Sequence, residues 1–173
     1  MVDVDISIIF AGLSIAASIA YYASVLRNAN KTQEMQLETR QAQLFMQIYE
    51  RFNDLGRAEI ITEVLSYEWR DNDDFWERYS SEADPDSYRK WNYVAGFFEG
   101  VGVLVKRKLI DPEIVDDLMS VSILLFWGKY GPAIIDGRER LSIPQLWEWT
   151  EYLYHEIKKI ADQEHGELKN LTP

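Results

Sequence analysis

The residue with the most pointed chemistry is Glu99, which falls inside the apolar run Val94–Val105. A carboxylate among apolar neighbours is costly to bury unless it is paired, hydrogen-bonded or protonated. The nearest bases in the following segments are Lys129, Arg138 and Arg140. An ion pair from Glu99 to Arg138 or Arg140 is the expected solution, tying the helix of Glu99 to the segment after the next helix. The alternative chemistry is a binding or proton-active carboxylate inside an aromatic pocket, which the six tryptophans of the chain are numerous enough to line. Trp147 lies off the apolar face of the last helix and is the ring expected to be exposed as a partner contact.

The other candidate clusters dissolve on spacing. His155 and His165 are the only histidines, and neither stands in a Glu-x-x-His or His-Glu-x-x-His pattern. Glu151 and His155 share a helix face at i, i+4, a single pair that reads as a solvated contact. Asp71, Asp73 and Glu82 occupy positions 1, 3 and 12 of a twelve-residue loop, but Trp76 stands where a calcium loop needs glycine. A solvated acidic loop is expected there. The absence of cysteine excludes disulfides, thiolate metal sites and a thiol nucleophile. Gly96, Gly100 and Gly102 fall within a helix and suit close packing rather than a phosphate loop. No catalytic residue, no cofactor and no metal is expected.

The elements that must position these residues begin with a change of composition near residue 26. Ile6 to Leu26 is an uninterrupted stretch without a charged residue, about 30 Å as a helix, which is one bilayer crossing. Asp3 and Asp5 precede it; Arg27, Lys31 and Arg40 follow. The positive-inside tendency then puts the N-terminus outside and the rest in the cytoplasm of a single-pass protein of the cell membrane. An acidic start also argues against a cleaved signal peptide. Within the span Gly12, Ala16, Ala20 and Ser24 recur every fourth residue, a small-residue face that permits close approach of another helix, either in a homo-oligomer or in a larger membrane complex. The partners expected are therefore the lipid bilayer and protein. Nucleic acid is excluded by 29 acidic against 18 basic residues, a net charge of -11.

Residues 27–43 contain no Gly or Pro and continue the helix as a polar stalk. The remainder is expected to be a four- to five-helix bundle. Leu44, Phe45, Ile48, Phe52 and Leu55 carry the stalk into a core ending near Gly56, and a second helix runs from about Arg57 to Trp69. A short helical turn surrounds Phe75, Trp76 and Tyr79. Asp84-Pro85 and Asp111-Pro112 each place a capping carboxylate before a proline, and start helices through about Lys108 and to a break at Gly128 or Gly131-Pro132. Both apolar runs are too short to cross a membrane. Ser142-Ile143-Pro144-Gln145 matches a capping box opening the last helix, which frays after Gly166. The expected organisation is an all-α chain: 1–26 N-terminal segment and transmembrane helix, 27–43 stalk, 44–166 bundle, 167–173 tail.

The order and spacing of WNYVAGFFEGVGVLVKRKLIDPEIV, LLFWGKYGPAIIDGRER and WEWTEYL, behind an N-terminal anchor, resemble the family catalogued as domain of unknown function 4760, short membrane-associated helical proteins of bacteria and archaea. The resemblance runs from the anchor to about Leu153. It implies architecture and membrane location, and transfers no catalytic residue. The function expected is that of a membrane-anchored cytoplasmic interaction module, as scaffold, accessory subunit or signal receiver, with a lipid-acting or small-molecule enzyme or sensor around Glu99 as the alternative.

Overall fold

The computed structural model describes the backbone of residues 6–171, and their side chains except at residue 7 and from residue 164 onward. Asp3 and Asp5, the His165 side chain and the end of the expected tail lie outside the described residues. The described residues are all-α, in six helices: α1 Ile6–Phe52, α2 Leu55–Ser66, α3 Asn72–Tyr79, α4 Pro85–Lys106, α5 Pro112–Arg140 and α6 Glu148–Leu171. Their contacts divide the chain into two units, one up to Ala42 and one from Gln43.

In the first unit α1 has no break between the apolar segment and the polar residues after it. Its described side chains are exposed almost throughout, and its most apolar window, with a mean hydropathy of 1.8, buries none of its residues. Ser14, Ser18, Thr32 and Thr39 each donate to the carbonyl four residues back, so these hydroxyls are satisfied within the helix.

In the second unit α6 packs on both α4 and α5, α2 also packs on both, and α3 bridges the same pair. The centre is a block of rings. Phe75, Trp91, Phe98, Phe126 and Tyr130 are almost wholly buried, each contributing about 1.5–3 kcal/mol of transfer free energy. Phe126 and Tyr130 stack at 4.8 Å between centroids, and Trp69 meets Phe75 at 4.9 Å and Tyr130 at 5.0 Å. Asp84 accepts from the backbone N–H groups of Asp86 and Ser87, and Asp111 from that of Glu113, so both proline-led starts form as their sequence indicates.

Three boundaries differ from expectation. Helix α5 does not break at Gly128 or Gly131-Pro132; it runs through Pro132 to Arg140. Residues beyond the proline, Ala133, Ile134 and Gly137, are buried in the same core as Tyr130, and this packing outweighs the missing N–H. At its full length α5 is apolar enough to cross a membrane, with a mean hydropathy of 1.4, although 44% of that window is buried against protein. Helix α2 ends at Ser66, short of Trp69, and α6 starts at Glu148 rather than behind Ser142. Ser142 and Trp147 both hold positive φ, at 54° and 53°, so residues 141–147 fold as turns instead of a helical first turn.

Candidate functional site

Glu99 is half-buried on α4, and its partner is neither arginine. Its Oε2 accepts from the backbone N–H of Thr150 at 2.7 Å and from the Thr150 hydroxyl at 3.0 Å. Thr150 is the third residue of α6 and is itself 1% exposed. Glu99 therefore caps the N-terminus of α6 from another helix. The carboxylate satisfies a first-turn N–H that has no carbonyl within its own helix, and its charge faces the positive end of the helix dipole. The close fit needs Gly102 three residues on, because a Cβ there would lie 2.1 Å from the Trp149 carbonyl oxygen.

The expected ion pair from Glu99 to Arg138 or Arg140 is thus not formed, because each arginine is committed elsewhere. Arg138 donates from Nε to the Leu146 carbonyl at 2.9 Å and from Nη1 to Glu151 at 2.7 Å, pinning the turns of 141–147 to the first turn of α6. Arg140 bonds Asp136 on its own helix and Asp73 on α3. Trp147 is not the exposed ring that its position on the helical wheel implied. It is half-buried, packs on the core, and lays its six-membered ring 3.6 Å from where a Cβ on Gly96 would stand. The positive φ at Trp147 takes it off the helical wheel and turns the side chain inward.

The acidic stretch is more ordered than a solvated loop. Asp71 caps α3 by accepting from the N–H of Asp74. Asp74 is buried and accepts from the backbone N–H of Arg70 at 2.9 Å and from its guanidinium at 3.2 Å. Those two bonds hold its carboxyl below the usual range. His155 stands 3.9 Å from Glu151, on the oxygen that Arg138 leaves. Among the described residues no group of three or more His, Asp or Glu side chains is placed to hold a metal ion.

A second capping arrangement, not foreseen from the sequence, joins α5 to the C-terminal end of α2. Tyr130 donates its hydroxyl to the Val64 carbonyl at 2.7 Å, and Lys129 donates Nζ to the Leu65 carbonyl at 2.6 Å while lying 5.2 Å over the Trp69 ring. These carbonyls belong to the last turn of α2, where helical partners run out. Burial pushes the Tyr130 hydroxyl well above its ordinary value and lowers Lys129, with Glu68 acting the other way on the lysine. The rings here pack against one another and against these caps, so these aromatic residues fill the core.

A concave surface of the second unit lies along α4, and smaller ones lie beside Lys129. A groove of about 560 Å³ is formed by Tyr93, Gly96, Phe97, Gly100, Val101, Val103 and Leu104 of α4, by Ile48 and Arg51 near the end of α1, and by Arg57 of α2. Glu99 is outside it. Arg57 donates to the Arg51 carbonyl at 2.9 Å, which closes the α1–α2 turn and brings the two arginines to one rim. A Cβ on Gly100 would meet no atom within 4 Å, so this glycine is not demanded by packing and leaves the floor open.

In the first unit Gly12, Ala16, Ala20 and Ser24 lie on exposed helix, and a Cβ on Gly12 would likewise meet nothing within 4 Å. Over residues 2–157 the chain matches the family described as Domain of unknown function (DUF4760), and it belongs to that family. No curated protein and no solved structure matches it.

Proposed function

We propose, taking membership of that family as the premise, that the protein is a single-pass membrane protein whose helical bundle acts by binding in the cytoplasm, as a scaffold, an accessory subunit or a receiver of a signal. The observation that carries this reading is the charge-free segment Ile6–Leu26, helical, with its described side chains all exposed. Some twenty apolar residues in water would forfeit most of their transfer free energy, whereas a hydrocarbon core recovers it. Helix α5 is also long and apolar enough to cross, but its buried face and its caps onto α2 support a place in the bundle core. The acids before the span and Arg27 and Lys31 after it support an outward N-terminus. The face of Gly12, Ala16, Ala20 and Ser24 supports association with a second copy or with a larger membrane partner.

Alkaline carbonate washing tests the anchor: the full chain is expected to stay with the membrane pellet, and a chain lacking residues 2–26 to leave it. Release of the full chain would overturn the reading. Purification in mild detergent then separates the roles, with stoichiometric partner proteins expected for a scaffold or subunit. A monomer that carries no partner from its native membrane would count against binding as the function.

A further inference from the structure

We infer that the groove between α4 and the α1–α2 turn is a binding site for a single-chain amphiphile with a carboxylate head group, of the long-chain fatty acid class. The site lies wholly within the second unit and does not depend on whether α1 crosses a membrane. Its size, about 560 Å³, falls within the range of small-molecule sites. Its walls are apolar, with Ile48, Phe97, Val101 and Leu104 the main hydrocarbon surfaces, which suits an alkyl chain and offers no hydrogen-bonding pattern for a polar metabolite.

Charge selects the head group. In a chain with a net charge of -11 the only ionisable groups lining the groove, apart from the Tyr93 phenol, are two guanidiniums. Neither Arg51 nor Arg57 has a carboxylate within ion-pair distance among the described residues, although Glu50, Asp54 and Glu59 are close in sequence. Arg70, Arg78, Arg89, Arg138 and Arg140 each have one, whereas Arg107, at the end of α4, shares the lack of a carboxylate but does not line the groove. Arg57 spends Nη1 on the Arg51 carbonyl but keeps its other donors, so two planar forks with no carboxylate partner stand at the rim of an apolar trough, which matches a planar carboxylate better than a compact ammonium would.

Gly100, at an exposed position of α4, leaves the trough open, as Gly128 leaves open space on α5. A helix-interior glycine costs about 1 kcal/mol relative to alanine. At Gly102 the cost is explained by the Trp149 backbone, and at Gly96 the Trp147 ring lies within contact distance; at Gly100 no protein atom is in reach. A side chain at 100 would occupy the groove and disturb nothing behind it.

The test uses the full chain in nanodiscs of zwitterionic phosphatidylcholine, photolabelled with diazirine-bearing palmitic acid or with the matching alcohol, and peptide mapping of the adducts. The acid is expected to label peptides spanning 48–57 and 93–104, about tenfold more than the alcohol, since one charge-assisted contact is worth about that factor. Arg51→Gln with Arg57→Gln is expected to lower this labelling about tenfold, and Gly100→Met to abolish it while helicity and melting temperature are kept. Should either variant lose its fold, competition by unlabelled palmitic acid on the unaltered chain decides the matter. Equal labelling by acid and alcohol, labelling confined to residues 6–26, or labelling that palmitic acid does not displace would overturn the proposal.

Discussion

At the residue scale the most informative outcome is the partner of Glu99. The apolar surroundings of this residue demanded a partner, and that demand was legible in the sequence; which group met it was not. The Thr150 N–H is fifty-one residues away and carries no side-chain signature of its own, whereas arginines are visible in any sequence. Replacing Glu99 with Ala is expected to cost about 1–3 kcal/mol in urea unfolding by leaving a first-turn N–H of α6 unpaired. Glu99→Gln, which still presents an oxygen, should cost less. Because Arg140 bonds Asp136 and Asp73 instead, Glu99→Gln and Arg140→Met should be additive within about 0.5 kcal/mol, and a larger coupling would mean that the pair exists in solution. Two glycines two residues apart make a sharper contrast. Gly102→Ala should destabilise by about 1–3 kcal/mol or more through its clash with the Trp149 carbonyl, while Gly100→Ala should stabilise by about 0.5–1 kcal/mol.

At the element scale, helix ends decide how the bundle holds together. The caps made by nearby residues, Asp71, Asp84 and Asp111, were readable because capping is local and follows fixed offsets. The caps made from afar, Glu99 on α6 and Lys129 with Tyr130 on α2, were not, and the boundaries of those two helices were misplaced, as was the end of α5. Tyr130 gives these contacts a pH dependence. Burial raises its pKa in the folded state, so the neutral hydroxyl and its bond to Val64 contribute fully below the unfolded value of about 10, and that contribution is lost as pH rises through and beyond it. Thermal melting should therefore fall off above about pH 10, and Tyr130→Phe should flatten that fall while lowering stability by about 1–2 kcal/mol at neutral pH. Pro132 makes the opposite prediction. It is exposed in the interior of α5, where it leaves the Gly128 carbonyl without its helical donor. Pro132→Ala should raise stability by about 1–3 kcal/mol in urea unfolding, and no gain would show that a bend at this point is required by the packing beyond it.

At the scale of the whole molecule, the cysteine-free sequence is an experimental opening. Single cysteines introduced as Val2→Cys and Glu59→Cys have no background, so an impermeant maleimide applied to intact cells should label the first and reach the second only after lysis. The reverse pattern would invert the proposed topology. The sequence by itself determined the helical class, the charge-free span, the acidic character of the rest and the proline-led helix starts, because each follows from composition or from contacts a few residues apart. Only the tertiary structure decided that α5 runs through Pro132, that Trp147 turns inward at a positive φ, that the central rings pack together, and that an apolar groove lies beside two arginines. Those outcomes depend on which distant groups meet. A backbone N–H at the start of a helix or a carbonyl at its end is the same in every sequence, so the side chain that satisfies it is identified only when the fold brings the two together.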